Sequence, residues 1–587
     1  MLTQILVLSP LLFALIVLVA GVKIRDVLTI FFVVFLGGVS VFHLIFIDEP
    51  LTYTLSHIFH QLFFVIDVML LLFFLYVGIV KKHILVATLA ISQIVLYGAV
   101  KFIGVTEGAS DILIDNNSLM MYLIINIVGG IIIVYSLKYI ESEEFSRFKK
   151  NAFIAMLFFF LGVMNFLVSA NNIEVFFMLF ELTTLCSYIL ISYRKDEISI
   201  TNGLKALWMN QIGGVAILAA LLLSIVSYKT IYFDILIANI NTTYLIPIVF
   251  LLIAAFVKGA AIPFEKWLLG AMVAPTPVSA ILHSATMVKI APFLVLKLSI
   301  AMSGFLADSV MLFGTFGFFA ASLLALSKNY FKEILGLSTI ALLSFMMALA
   351  AIGTPESILA ASILMVFHAL SKALLFLQLG TLEKEFNLKY VNDIESLMSY
   401  SPLVVFFIVF GFASLTLPPF GVFIGKFMAF ETFALMMKNN PIYILGLLFT
   451  ALGSVFLTIL YFKVLTKIFV KDMNLKDTMR KTISKFYSYT SGALALLLFI
   501  GIIWSLQKTS ILSSWEIIVP MVLIFIVPAL FFLFVFKNAV RVKEYNCGEK
   551  EEIVLNMYYL KTPEMMKKAI FIISIIMIAA LFIGVIL

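Results

Sequence analysis

The sequence predicts an all-α polytopic membrane protein of roughly eighteen transmembrane helices, with two inverted repeats that each hold a proline-broken helix. Three observations carry this. Hydrophobic residues make up 63% of the 587-residue chain and charged residues only 12%, with a mean hydropathy of +1.16; a soluble domain is nearer about 45–50% apolar and about 25% charged. Apolar runs of spanning length recur from end to end, separated by short loops. Two of those runs combine a proline break with a lysine, in opposite order along the chain.

A spanning helix needs about 20 mostly apolar residues. On that rule the runs centre near residues 13, 38, 71, 94, 129, 160, 183, 215, 256, 290, 318, 344, 368, 418, 455, 497, 526 and 578. The first run, Ile5–Gly21, lacks a basic leading segment and a small-residue cleavage site, so it reads as a retained helix. The loops alternate in charge, with Lys229, Lys438 and Lys508 as the exceptions. With the N-terminus outside, inside loops carry Lys23 and Arg25, Lys81 and Lys82, Arg147 to Lys150, Arg194 and Lys195, Lys328 and Lys332, and Lys384 and Lys389. Outside loops carry Asp48, Glu49, Glu107, Asp111, Glu174, Asp308 and Glu356. Lys and Arg favour the cytoplasmic side, and a missed helix would invert every later loop, so the alternation supports the count. It places both termini outside a prokaryotic inner membrane.

The net charge of +7 would suit nucleic acid, but the basic residues lie in loops where they orient a membrane protein, and no nucleic-acid motif is present. The two cysteines, Cys186 and Cys547, form no CxxC pair. A cluster or structural zinc needs about four ligands, so no metal, cofactor or catalytic residue is expected on this chain.

A charge at the bilayer centre costs about 3 kcal/mol or more and calls for a reason. Glu181 lies in the middle of an apolar run with no basic neighbour in it, so its partner must come from another helix. Lys258 precedes Pro263, which should break its helix at Gly259; Lys426 follows a break at Pro418 and Pro419. Matching broken helices in two halves point to a transporter's ion site; the alternatives are a structural ion pair for Glu181 and snorkelling for the lysines. His283 and Lys289 lie on one predicted helix, and His368 and Lys372, four residues apart, share a face of another. Together these make a proton or ion relay of Glu181, Lys258, His283, Lys289, His368, Lys372 and Lys426. Lys205, near the start of its span, ranks below Lys258, Asp67 and Lys297 rank lower still, and His43, His57, His60 and His83 read as peripheral.

Specific motifs add a resemblance. Phe180-Glu-Leu-Thr-Thr-Leu-Cys-Ser-Tyr-Ile-Leu190, Lys258 with Pro263, Trp267, Ala274-Pro-Thr-Pro-Val-Ser-Ala-Ile-Leu-His-Ser-Ala-Thr-Met-Val-Lys289, His368-Ala-Leu-Ser-Lys-Ala-Leu-Leu-Phe376 and the Pro419–Lys426 helix resemble the antiporter-like subunits of respiratory complex I and of Mrp antiporters. The resemblance runs from about Asp115 to Val470. It implies N-terminal helices at 1–114, an antiporter-like core of two inverted repeats at 115–470, and C-terminal helices at 471–587. It also implies that Glu181 pairs with Lys258 as a switch, the lysine keeping its proton while paired and passing it on when separated. His283, Lys289, His368 and Lys372 would form the central hydrophilic axis, and Lys426 the exit.

Departures from the family are informative. Two helices usually precede the Asp115 region; here there are four, and the pair near 61–104 is extra. Asn329 and Tyr330 stand where an Asp is common. The stretch Lys537–Lys568, about 32 residues or about 50 Å of helix, is too short for the lateral helix of one complex I subunit. Glu544-Tyr-Asn-Cys-Gly-Glu549 is similar to a tract in large membrane subunits of group 4 nickel–iron hydrogenases (Ech and relatives). The expectation is therefore an H⁺ or Na⁺ translocating subunit of an energy-converting hydrogenase, with iron–sulfur and nickel–iron centres on partner membrane and peripheral subunits. The alternatives are a subunit of a Mrp-type Na⁺/H⁺ antiporter and, against the charge ladder, a structural anchor.

Overall fold

The computed structural model describes residues 2–47, 49–104, 109–240, 244–302, 304–394, 397–469, 484–508 and 564–586. Among these, fifteen helices are long and apolar enough to cross a membrane, and two more apolar helices, Thr3–Val19 and Ile246–Lys258, are shorter. The protein is a polytopic membrane protein, as expected. Of the eighteen expected centres, all but one fall inside these spans; the one near residue 526 lies outside the described residues, as does the Glu544–Glu549 motif.

In chain order the helices are α1 (Leu2–Val19), α2 (Val22–Phe46), α3 (His57–Val80), α4 (Ile84–Ile103), α5 (Asn116–Glu141), α6 (Arg147–Ser169), α7 (Ile173–Ile191), α8 (Glu197–Tyr228), α9 (Ile246–Lys258) and α10 (Thr276–Ala301). Then follow α11 (Gly304–Leu326), α12 (Phe331–Ile352), α13 (Pro355–Thr381), α14 (Pro402–Thr416), α15 (Gly421–Met436), α16 (Tyr443–Phe469), α17 (Lys485–Lys508) and α18 (Glu564–Ile586). Short polar residues start them: Asp115, Asn172, Asp196 and Thr354 each accept from a backbone N–H in the first turn of α5, α7, α8 and α13, satisfying a donor the helix leaves open.

Burial is uneven. Helices α10 and α12 are buried in protein almost throughout, while α3 and α4 face outward along most of their length. The extra pair is a hairpin standing on a two-stranded antiparallel ribbon, β1 (Leu51–Tyr53) and β2 (Ile112–Ile114), with Leu51 opposite Ile114. It has its own small core of Leu70, Phe74, Val77, Val86 and Ala90, closed by Leu204 and Leu207 of α8.

Loops that the charge alternation assigns to the same side meet one another. Arg25 pairs with Glu141 at 2.9 Å, and Glu143 receives Lys384 at 2.7 Å and Arg194 at 3.4 Å, joining four loops assigned to one side. On the other side Asp111 accepts from Leu55 N and Asn172, and Asn440 reaches Asp308 at 2.7 Å.

Candidate functional site

Both predicted breaks are present. Helix α9 ends at Lys258, and Trp267 Nε1 donates back across the break to Val257 O at 2.9 Å. Ala260 in the break has φ +52°, a left-handed conformation that costs a residue with a Cβ about 1 kcal/mol or more, so strain sits beside the lysine. Helix α14 ends at Thr416, and α15 restarts at Gly421 with Lys426 in its second turn. The Ile262–Pro263 and Pro418–Pro419 bonds are cis.

The third discontinuity was not foreseen. His283 lies in a π-turn, Ile281–Ala285, and Lys289 in a 3₁₀ turn, Met287–Lys289. Between them Thr286 has φ −127° and ψ −105°, outside helical space. His283 and Lys289 are therefore not on one continuous helix. A π-bulge often marks a functional site, and no composition signal announces it.

Glu181, Lys258, His283, Lys289, His368 and Lys372 are fully buried, and Lys426 is 7% exposed. Lys258 Nζ donates to Phe180 O and Thr184 Oγ1, both at 3.0 Å, and lies 3.7 Å from the Phe180 ring centroid. Both acceptors are on α7, the helix of Glu181, yet Glu181 and Lys258 are not ion-paired. Glu181 Oε1 instead accepts from Gln93 Nε2 at 2.7 Å, and Oε2 has no protein partner. The resemblance implies a switch between a paired and a separated state, and this structure holds the separated one: the glutamate is turned to the α3–α4 hairpin, the lysine to Phe180 O and Thr184 Oγ1 of α7. Gly214 on α8 permits this, because a Cβ there would overlap both Glu181 Oε1 and Gln93 Nε2.

Along the molecule, Lys289 Nζ reaches across to α13, donating to Met365 O at 3.0 Å and meeting His368 Nδ1 at 2.8 Å. Lys372 donates to Leu335 O at 3.2 Å and closely to Ser338 Oγ, both on α12. His368 and Lys372 do share a helix, but their partners lie on different neighbours. Both ring nitrogens of His283 and Nε2 of His368 are buried without protein partners. Lys426 has no hydrogen-bond or ion-pair partner among the described residues. Helix α9 packs on α10 and α13 on α15, with Gly259 against Ala291 and Gly425 against Leu364.

The seven residues therefore occupy a lateral file of adjoining helices, α7, α9, α10, α13 and α15, several of them interrupted. Buried polar atoms are nearly always hydrogen-bonded; the file holds Glu181 Oε2 and three imidazole nitrogens without a protein partner, while further such atoms, among them Asp67 Oδ1, Tyr122 Oη and Tyr461 Oη, lie elsewhere. Amines, imidazoles and a carboxyl in this state can each take or give a proton.

Of the lower-ranked residues, His43 differs from expectation. His43, read as peripheral, is buried and meets Thr3 Oγ1 at 3.3 Å. Lys297 donates to Ala170 O at 2.8 Å, and Lys205 reaches Asn202 at 3.3 Å. Lys332 is buried in an ion pair with Glu383 at 2.9 Å, a pair the sequence reading missed because it assigned Lys332 to a loop and did not single out Glu383. Among the described residues no group of three or more His, Cys, Asp or Glu converges as a metal site would.

Residues 170–456 match the family model described as NADH:quinone oxidoreductase/Mrp antiporter, TM. Residues 109–149 match the model described as NADH-Ubiquinone oxidoreductase (complex I), chain 5 N-terminus. The chain is 30% identical over 369 residues to a Na(+)/H(+) antiporter subunit of Staphylococcus aureus, covering 59% of this chain and 46% of that protein. It is 32% identical over 387 residues to a Na(+)/H(+) antiporter subunit of Alkalihalophilus pseudofirmus, covering 60% and 48%. The chain spans about half the length of the curated relatives it matches. Its fold resembles a chain of the Mrp complex from Dietzia sp. DQ12-45-1b with a TM-score of 0.63 at 19% identity, over 99% of this chain and 56% of that one.

Proposed function

We propose that this chain is an ion-translocating subunit of a Mrp-type Na⁺/H⁺ antiporter complex, working beside other membrane subunits; the matches of residues 109–149 and 170–456 to complex I and Mrp antiporter models support this reading. The observation that carries this is the file of buried ionisable groups from Glu181 to Lys426, none of them in an ion pair among the described residues. Charges in a bilayer are costly and mark ion pathways, and interrupted helices supply open backbone ends where ions are handled.

In this reading Glu181 receives the proton and Lys258 alternates between its α7 acceptors and Glu181. Lys289 and His368 form the central pair, Lys372 the next station, and Lys426 the exit. The Lys- and Arg-rich loop face would be cytoplasmic. The reported relatives are Na⁺/H⁺ antiporter subunits and the fold resembles a chain of a Mrp complex, so antiport is the better supported reading. Iron–sulfur and nickel–iron partners remain the competing one.

Affinity purification with mass spectrometry, coupled to vesicle transport, decides between them. The expected result is co-purifying small membrane subunits and proton movement driven by an imposed Na⁺ gradient. Hydrogen-oxidising activity with cluster-bearing partners, and no Na⁺-driven proton movement, would overturn it. Gly214→Ala gives an independent check: the methyl group displaces the flexible end of Glu181 rather than backbone, so transport should fall by up to ~10²-fold with the melting temperature little changed.

A further inference from the structure

The extra hairpin builds a second cluster of ionisable groups that the file does not contain. Helix α4 carries Gln93, Tyr97 and Lys101 at four-residue intervals, and α7 carries Glu174 and Glu181 seven residues apart. Both spacings are one-face spacings, and the two faces meet: Gln93 holds Glu181, while Tyr97 and Lys101 both hold Glu174. Asp67 of α3 completes the cluster from behind, its Oδ2 3.1 Å from Tyr97 Oη, and Tyr97 Oη lies 2.8 Å from Glu174 Oε1. The seam grades from partly exposed Lys101 and Glu174, at 40% and 20%, to Asp67 at 1% and Glu181 at 0%. The Tyr97 ring is held between Phe64 and Phe177.

The hydrogen count in this cluster is informative. A tyrosine hydroxyl has one hydrogen, yet Tyr97 Oη is within hydrogen-bond distance of two carboxyl oxygens. It can donate to only one, so the other contact is attractive only if that carboxyl bears a proton and donates to Oη. Glu174 is ion-paired with Lys101, so it is the acceptor. Asp67 is then the acid. Its Oδ1 is buried without a protein partner, where an ionised carboxylate would be very costly. The charged and titratable groups facing it are Tyr97 and Lys101 from α4 and Glu174 and Glu181 from α7; two of these four are acidic and oppose a second negative charge.

We propose that Asp67 is a proton-binding site and that Asp67–Tyr97–Glu174 is a proton relay joining the loop face to the interior beside Glu181. In the transfer Asp67 gives its proton to Tyr97 Oη as Tyr97 gives its own to Glu174. The hydroxyl is regenerated, Asp67 becomes a carboxylate and Glu174 an acid. That the relay serves transport rests on the reading of Glu181 given above.

Infrared spectroscopy of the full-length protein tests it. A protonated-carboxyl C=O band should be present at neutral and mildly alkaline pH and shift in D₂O. It should vanish in Asp67→Asn and move to higher frequency in Tyr97→Phe, which keeps the ring packing if Asp67→Asn does not fold. Asp67→Asn should also lower proton flux in vesicles about tenfold or more. A band unchanged in both variants, or wild-type flux in a folded Asp67→Asn protein, overturns the proposal. Lys258→Ala should keep the Asp67 band, so failure of the Glu181–Lys426 reading would appear as normal flux in that variant with the band assignment intact.

Discussion

Replacing Lys258 with alanine is expected to lower ion flux at least ~10²-fold while the chain still folds and joins its complex. Breaking a buried ion pair normally strands an uncompensated charge and destabilises strongly. Lys258 makes no direct ion pair with a carboxylate, and Glu181, the buried carboxyl nearest in the file, keeps its hydrogen bond from Gln93. The acceptors of Lys258 are Phe180 O and Thr184 Oγ1, and these remain satisfied without it, because Thr184 Oγ1 donates to Phe180 O at 3.1 Å. The break is held separately by Trp267 on Val257 O. Lys258→Met, which keeps most of the side-chain volume, should be equally inactive and more stable than alanine, since it leaves less of a cavity. Flux in reconstituted vesicles and thermal melting of the purified variants check both statements. Transport at wild-type rate in either variant would remove Lys258 from the relay.

The sequence made the membrane architecture legible because a bilayer leaves few options. Apolar runs long enough to span, separated by charged loops, became helices at the described centres except at residue 418, which falls in the break between α14 and α15, and several loops assigned to one side by charge are joined by ion pairs. The breaks were legible for a similar reason: proline at 263 and at 418–419 has one local consequence, the end of a helix. Pairing was much less legible. Glu181 was expected to find Lys258, but its contact is Gln93, on the hairpin that looked like an accessory. The Gln93, Tyr97 and Lys101 spacing on a lipid-exposed helix was the available signal. Lys289 was read with His283 along the chain, whereas its partner is His368 on another helix. Spacing within one helix says which residues share a face, not which neighbour that face meets. The distortion at Thr286 had no sequence cue, because neither proline nor glycine marks it.

The largest stability effect is expected at Lys332 and Glu383. Their side chains are 4% and 9% exposed and 2.9 Å apart, so truncating one leaves the other charged and buried. Glu383→Ala should therefore destabilise the protein by about 3–5 kcal/mol. The carboxylate does more than neutralise the lysine. It accepts a short hydrogen bond from Thr276 Oγ1, and Lys332 also approaches Ala274 O at 3.4 Å. The pair thereby ties the start of α12 and the region just beyond α13 to the Ala-Pro-Thr-Pro segment that opens α10, the helix bearing His283 and Lys289. That gives Thr276 a structural role distinct from the relay. Removing both charges, as in Lys332→Met with Glu383→Leu, should recover most of the loss, since no charge is then stranded. A double-mutant cycle by chemical denaturation measures this directly. Additive losses would show that the two side chains stabilise the fold independently, whereas the geometry requires them to be strongly coupled.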